Sequence, residues 1–154
     1  MNPAPAFVLR PVRLPDDAAA WGRMRQALWP DEAGVDAADE LHAATQPADA
    51  TGVVLALAGD APIGFAEARR RMEYVNGTRS SPVGFLEAWY VVPGWRGRGV
   101  GRALVAWVEA WTRACGCTEL ASDALLDNRV SLAAHLGCGF EETERVVCFR
   151  KPLP

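Results

Sequence analysis

The sequence is poor in the residues that usually hold metal ions, and it has no long apolar run. Only two histidines occur in 154 residues, and Cys115, Cys117, Cys138 and Cys148 do not have zinc-finger spacing. We therefore expect no metal, and free thiols in a reducing cytoplasm. No apolar run reaches the ~18 residues of a membrane span. Residues 1–7 lack the charged and apolar regions of a secretory signal.

Excess positive charge is also absent, because the net charge is −3. Bulk electrostatics therefore excludes general nucleic-acid binding. The charges are nevertheless segregated along the chain. Asp31, Glu32, Asp36, Asp39 and Glu40 crowd together, whereas arginines cluster at 69–71 and at 96–102. The acidic group is either a solvated helix face or the rim of a site for cations. This distribution suits a protein with one anionic and one cationic ligand.

The length and the hydrophobic pattern predict one domain, residues 1–154, of α+β (α/β-like) class around a mixed sheet. Strands are predicted at Phe7–Arg13, Gly52–Ala58, Ile63–Met72, Val83–Val92, Thr118–Ser122 and Phe140–Arg150. Helices are predicted at Ala18–Leu28, Val35–Thr45, Val100–Ala114 and from Asp127 or Asn128 to Gly137 or Gly139. The segment 83–123 should form a right-handed crossover between parallel strands.

A glycine-rich turn, Arg96-Gly97-Arg98-Gly99-Val100-Gly101, joins a predicted strand to a predicted helix. Glycines allow close backbone approach and unusual angles. The first helix amides, at 99–102, lack intrahelical acceptors, so together with the helix dipole they can bind an anion such as pyrophosphate. Arg96, Arg98 and Arg102 add positive charge. The alternative is a turn that only packs a helix on a sheet.

Two known phosphate loops do not fit this turn. The dinucleotide fingerprint would need a third glycine where Arg102 or Leu104 stands, and the P-loop would need Lys-Ser/Thr where Arg102-Ala103 follows. The pattern Arg-x-x-Gly-x-Gly after a strand and a proline instead resembles the acetyl-coenzyme A motif of the GNAT N-acetyltransferases. Asn128-x-x-Ser131-x-x-x-His135-x-x-x-Gly139-Phe140 resembles a later helix of the same family.

The GNAT resemblance covers nearly the whole chain and implies acetyl-CoA as co-substrate. It implies a central sheet of about six or seven strands flanked by about four helices. In this family two neighbouring strands splay apart and the pantetheine arm lies between them. The implied cofactor-binding residues are Tyr90, Val91, Val92, Arg96, Gly97, Arg98, Gly99, Val100, Gly101, Arg102, Asn128 and His135.

His135 stands where many family members have a tyrosine that protonates the leaving thiolate. An imidazole can serve as proton donor. The alternative is a histidine that is packed or only contacts the cofactor.

The attacking amine must also lose a proton, and Glu87 and Asp123 are the candidate acceptors on the strands beside the gap. Outward-facing or capping carboxylates are the alternative for both residues.

Longer stretches of the sequence resemble one particular group within this family. Leu28-Trp29-Pro30, Tyr74-Val75-Asn76-Gly77, Phe85-Leu86-Glu87, Ala121-Ser122-Asp123 and 139–146 are similar to the aminoglycoside 6'-N-acetyltransferases of the chromosomal and environmental type. The resemblance implies resistance by acetylation of the 6'-amine, a homodimer, and Asp123 before Glu87 as proton acceptor. The implied substrate-binding residues are Trp29, Glu32, Glu73, Tyr74, Glu87 and Asp123, although Trp29 could also be a core residue.

Two other functions stay open at this point. One is a GNAT enzyme that acts on another small amine or on a protein N-terminus. The other is a non-catalytic domain that senses acetyl-CoA, although simple binding requires neither Glu87 nor Asp123.

Overall fold

The structure of the protein is a computed structural model, which describes residues 6–32 and 37–154, without the side chains of Glu32 and Ala37. The strands are β1 (Val8–Pro11), β2 (Thr51–Ala58), β3 (Ala61–Arg71), β4 (Val83–Val91) and β5 (Leu120–Ala121). The helices are α1 (Ala18–Leu28), α2 (Ala37–Ala44), α3 (Val100–Ala114) and α4 (Arg129–Gly137), with short 3₁₀ turns at Pro30–Glu32 and Pro93–Trp95. The predicted α+β class and the four predicted helices are confirmed in these ranges. The predicted start of α2 at Val35 lies outside the described residues.

The described strands form one mixed sheet in the order β1-β2-β3-β4-β5. All neighbours are antiparallel except β4 and β5, which are parallel. The predicted β2–β3 hairpin and the predicted crossover through α3 are therefore confirmed. None of the described helices is both long and apolar enough to cross a membrane.

The core lies on both faces of this sheet. On one face, α3 packs Leu104, Val105 and Val108 against the sheet, because these residues recur at helical spacing. On the other face, α1 buries Trp21 completely against Phe65 of β3 and its neighbours. Alternation along β2 and β3 supplies apolar side chains to both layers.

A β-bulge interrupts the pairing of β3 with β4. Glu67 lies opposite Ala88 and Ala68 lies opposite Leu86, so Glu87 is the extra residue of the bulge. On its other side β4 pairs with β5 only at Gly84 and Phe85. Glu87 therefore stands where pairing with β3 is interrupted for one residue and pairing with β5 has already ended, and the two parallel strands diverge from there.

The prediction of a last strand at Phe140–Arg150 is wrong. The described residues form five strands instead of the expected six or seven. Residues 141–154 have no regular secondary structure. Val147, Phe149 and Leu153 are 77%, 93% and 82% exposed. A strand needs a neighbour, and this segment, the C-terminal tail, has none in the described part of the chain.

Candidate active site

The turn before α3 has the geometry of an anion site. Gly97 and Gly99 have φ values of +74° and +83°, and a Cβ at either position would meet open space. Glycine is therefore required there by the backbone angles and not by crowding. Gly99 is the N-cap of α3, and no side chain caps the helix at this residue. The first amides of α3 are thus left for a ligand.

Gly101 has a different role from the one expected. A Cβ at this position would lie 3.1 Å from Cζ2 of Trp89. The indole Nε1 of Trp89 donates a hydrogen bond to the Gly101 carbonyl oxygen at 3.1 Å. The absence of a side chain at Gly101 therefore lets the ring of a β4 residue pack against the first turn of α3.

The arginines of the turn have protein partners that the sequence did not indicate. Arg96 Nε donates to the Val91 carbonyl oxygen at 2.8 Å. Arg102 donates to the Gly137 carbonyl oxygen at 2.7 Å, where the C-terminal end of α4 favours a cation. Arg98 stacks on Trp95, with its guanidinium carbon 5.3 Å from the ring centroid. Of the three arginines, Arg98 is thus the one whose contact is with a neighbour in sequence, Trp95, directly before the turn.

The backbone at the end of β4 does not fit the expectation that Tyr90, Val91 and Val92 all pair with the cofactor through their N–H and C=O groups. Val92 N–H donates to the Ile63 carbonyl at 2.9 Å, so it points towards β3. Successive residues of a strand point their backbone groups to opposite sides, so Tyr90 also faces β3. Only Val91 faces the open edge, and its carbonyl already accepts from Arg96.

The side chain of His135 extends from α4 towards the diverging strands. Its Nδ1 is 2.7 Å from the Ser131 carbonyl oxygen, so this nitrogen carries a hydrogen and donates it. Its Nε2 is 2.8 Å from Ser122 Oγ, and that hydroxyl is 3.3 Å from the Leu86 carbonyl oxygen of β4. The ring also contacts Trp89 edge-on, at 5.5 Å between centroids. His135 is therefore connected to both parallel strands.

Asn128 caps α4, because its Oδ1 accepts a hydrogen bond from the Ser131 N–H at 3.0 Å. The expected start of this helix at Asp127 or Asn128 is thus confirmed, with Asn128 as the cap. Only the amide nitrogen of this side chain can be offered to a cofactor as a donor.

A cavity of about 520 Å³ opens on the α1/α2 face of the sheet beside the bulge. Its lining residues are Arg25, Trp29, Glu40, Ala43, Ala44, Glu67, Ala68, Arg69, Arg71 and Glu87. We call it the acidic-basic cavity because its charged residues are of both signs. Trp29 is half-buried, and the Arg25 guanidinium carbon lies 5.0 Å from its ring centroid.

The carboxylates of this cavity are paired with arginines. Glu67 is buried and accepts hydrogen bonds from Trp21 Nε1, at 3.0 Å, and from Arg25. Burial raises the pKa of Glu67 in spite of these donors. Glu87 accepts from Arg71 NH2 at 2.9 Å and 3.0 Å through its two oxygens. The cavity thus holds the buried pair Arg25–Glu67 and the partly exposed pair Arg71–Glu87, and Arg25 also lies 3.9 Å from Glu40.

The predicted acceptor-binding residues are only partly brought together. Trp29 and Glu87 line the cavity, whereas Glu73, Tyr74 and Asp123 are exposed and lie outside its lining. The side chain of Glu32 lies outside the described residues. Asp123 follows Ala121, the last residue of β5, by two positions, as Glu87 follows Phe85 in the paired strand. The two carboxylates therefore occupy matching positions beyond the last parallel pair.

Sequence reasoning missed several lining residues. Glu67, Arg69 and Arg71 recur with a period of two along β3, which places all three on one face of the strand. That period was available in the sequence. The bulge that brings Glu87 to the same cavity was not, because it depends on the pairing of two strands. Among the described residues, no group of His, Cys, Asp and Glu side chains could hold a metal ion.

The fold and the glycine turn agree with a known family. The acetyltransferase (GNAT) family matches residues 19–140, and the chain belongs to this family. The predicted family membership is confirmed.

Two individual members of the family are similar to this chain over most of their length. The chain is 61% identical to the aminoglycoside N(6')-acetyltransferase type 1 of Stenotrophomonas maltophilia over 90% of both chains. It is 48% identical to the enzyme of that name from Acinetobacter genomosp. 13, over 88% of this chain and 92% of the other.

Solved structures of similar proteins have the same fold. AAC(6')-Iy in complex with the bisubstrate analogue CoA-S-monomethyl-acetylneamine is 38% identical, with a TM-score of 0.89 over 96% of this chain and 99% of that chain. AAC(6')-Ih from Acinetobacter baumannii is 40% identical, with a TM-score of 0.89 and the same coverage.

Proposed function

We propose that this protein transfers the acetyl group of acetyl-CoA to the 6'-amine of aminoglycosides and thereby confers resistance. The observation that carries this proposal is the position of the acidic-basic cavity. Glu87 lines it and also stands where β4 and β5 separate, in the strand that leads to the glycine turn. A cationic acceptor in the cavity therefore meets a thioester in the gap. The named relatives support the same chemistry.

The co-substrate fits the residues on the opposite side of the gap. In this proposal the pyrophosphate lies on the first amides of α3, with Gly97 and Gly99 giving the turn its shape. The pantetheine arm runs along the open edge of β4 at Val91, and the amide nitrogen of Asn128 donates to it. Displacement of Arg96 from the Val91 carbonyl would make that backbone group available.

The reaction needs one proton acceptor and one proton donor. The 6'-ammonium group loses a proton to Asp123 through a water molecule, and the neutral nitrogen attacks the thioester carbon. The carbon–sulfur bond breaks, the nitrogen of the new amide loses its extra proton to water, and the thiolate takes a proton. His135 is the proposed source of the thiolate's proton, in its imidazolium form, because Nδ1 keeps its hydrogen on the Ser131 carbonyl. Nε2 passes its hydrogen to the hydroxyl of Ser122, which lies between the imidazole and β4 and gives its own hydrogen to the thiolate. Glu87 holds an amine of the acceptor and is the second candidate for proton acceptor.

The proposal treats residues 1–154 as one catalytic domain that works in the cytoplasm. The four free thiols, Cys115, Cys117, Cys138 and Cys148, are compatible with a reducing compartment. Acetyl-CoA is the only co-substrate in this proposal, and no metal takes part.

The proposed activity predicts release of free coenzyme A thiol with acetyl-CoA and an aminoglycoside that carries a 6'-amine. Thiol release is followed with a thiol-reactive dye. Aminoglycosides with a 6'-hydroxyl are the matched control, and they should give no release above background. Release with spermidine or with a peptide N-terminus, but not with 6'-amine drugs, would instead indicate a GNAT enzyme for another amine.

We also propose a homodimer in which the C-terminal tail contacts a second copy of the chain. In the described part of the chain, the backbone of residues 141–154 makes no backbone hydrogen bond. Phe149 is 93% exposed and Val147 is 77% exposed. A segment with unpaired backbone and exposed apolar side chains is a ready partner for another chain. Symmetric pairing of two copies would cover both tails at once.

Shortening the tail is therefore expected to give a monomer. The full chain should elute at twice the mass of 16.6 kDa in light-scattering chromatography. A chain ending at Arg145, and the variant Phe149→Ser, should both elute as monomers because the apolar contacts are lost. Val8→Ser is the control, since Val8 is 59% exposed on the edge strand β1. A dimer that survives the truncation would contradict the role of the tail.

A further inference from the structure

The acidic-basic cavity is balanced in charge, although the proposed acceptor is a polycation. The lining arginines are Arg25, Arg69 and Arg71, and the lining glutamates are Glu40, Glu67 and Glu87. A cavity with equal numbers of both signs does not concentrate cations by net charge. A cationic acceptor must therefore take over a carboxylate that an arginine holds.

Of the two lining carboxylates that arginines hold by hydrogen bonds, Glu87 is the one that can be released at low cost. Glu67 is fixed, because it is buried and bound by Trp21 and Arg25. The side chains of Arg71 and Glu87 are 36% and 29% exposed. Ion pairs that water can reach contribute little net stability, so exchanging one cation for another there is inexpensive.

Arg71 uses most of the accepting capacity of Glu87. Its NH2 contacts both carboxylate oxygens, and its Nε lies 3.2 Å from Oε1. A carboxylate has about four acceptor positions, so three contacts leave room for little else. The guanidinium also stacks on Phe85, with its carbon 3.6 Å from the ring centroid. This stacking keeps Arg71 beside Glu87 when no acceptor is bound.

We propose, on the basis of the function given above, that Arg71 is a specificity-determining residue whose guanidinium must be displaced from Glu87 by the amines of the acceptor. A polyamine sugar displaces it effectively, because a second ammonium group binds Glu40, whose side chain is 32% exposed and lies 3.9 Å from Arg25, and so raises the local concentration of the competing amine. A sugar with one amine competes with the guanidinium unaided. Arg71 therefore selects polyamine acceptors over monoamines.

The test compares Arg71→Gln with Arg69→Gln. Arg69 lines the same cavity, but its NH2 contacts the Ala43 carbonyl oxygen at 3.4 Å. Both variants remove one positive charge, and only Arg71→Gln releases Glu87. The substrates are a polyamine aminoglycoside and the monoamine 6-amino-6-deoxyglucose, with kcat and KM measured for each, or an inhibition constant where turnover is too slow.

Arg71→Gln should lower KM about fivefold for the monoamine and about twofold for the polyamine. The reason is that the weak Arg71–Glu87 ion pair no longer competes with the amine of the substrate. The value of kcat should stay nearly unchanged. Arg69→Gln should leave the ratio of the two KM values as in the wild type. On a Glu87→Gln background, Arg71→Gln should have little effect on that ratio, because the carboxylate for which the guanidinium and the amine compete is already gone. Arg71→Lys keeps the positive charge but loses the bidentate hydrogen bonding of the guanidinium, so its ratio of the two KM values should lie between those of the wild type and Arg71→Gln. This variant replaces Arg71→Gln in the experiment if Arg71→Gln does not fold.

Two results would overturn the proposal. Equal changes in Arg71→Gln and Arg69→Gln would mean that only the total charge of the cavity matters. A fall in kcat with unchanged KM in Arg71→Gln would make Arg71 a positioning residue for Glu87. Failure of the wild-type protein to release thiol with any aminoglycoside would instead contradict the proposed function, so the two failures can be told apart.

Discussion

Asp123→Asn is expected to lower kcat/KM for aminoglycosides by about 10²–10⁴-fold, the usual effect of losing a general base. The amide is nearly isosteric with the carboxylate but cannot accept the proton of the 6'-ammonium group. Thiol release over a range of pH provides the measurement. The residual rate should rise with pH, because a larger fraction of the amine is then neutral without help.

Asp127→Asn is the matched control for this experiment. Asp127 is exposed on the same connection between β5 and α4, and it has no proposed role in proton transfer. Its replacement should leave kcat/KM nearly unchanged. A small effect of Asp123→Asn together with a large loss of kcat in Glu87→Gln would transfer the role of proton acceptor to Glu87.

Trp21→Ala is expected to cost about 3–5 kcal/mol of the free energy of unfolding, the range for removing a large buried aromatic side chain. Trp21 is fully buried between α1 and the sheet. Its loss leaves a cavity and removes the indole donor from Glu67, a carboxylate that is buried beside Arg25. Urea unfolding followed by circular dichroism gives the difference.

Trp21→Phe separates the two contributions to that loss. The phenyl ring fills much of the space, but Glu67 loses the 3.0 Å hydrogen bond from Nε1, so we expect a cost of about 1–3 kcal/mol. Trp95→Ala is the control, because Trp95 is only half-buried in the turn before α3. A loss for Trp95→Ala as large as that for Trp21→Ala would contradict a special role of the core ring.

The sequence predicted best those elements that are fixed by local chemistry. The bounds of α1 and α3 agree with the prediction at both ends, because apolar residues recur at helical spacing and clear stop signals follow. The glycine turn was also identified correctly as a strand-to-helix connection, because positive φ at Gly97 and Gly99 requires that residue type.

The features that were missed depend on pairing between distant segments. The strand predicted at Thr118–Ser122 shortens to Leu120–Ala121, because β4 diverges from β5 after Phe85. The last predicted strand finds no neighbour among the described residues, although its composition favours a strand. The Arg71–Glu87 pair depends on the bulge in β4, and no local pattern encodes a bulge. The contacts of Arg96 and Arg102 likewise depend on the folded positions of Val91 and Gly137.

The indole of Trp89 links the two ends of the proposed co-substrate site. One end of the ring system is bonded to Gly101 in the first turn of α3, and the ring also meets the imidazole of His135 edge-on. The phosphates and the sulfur of acetyl-CoA lie far apart along that molecule, yet the protein groups proposed for each share this one rigid side chain. If the proposed roles hold, binding of the phosphates at α3 acts through Trp89 on the orientation of His135, the proposed proton donor to the departing sulfur, so that binding of the co-substrate and alignment of the proton donor are mechanically coupled.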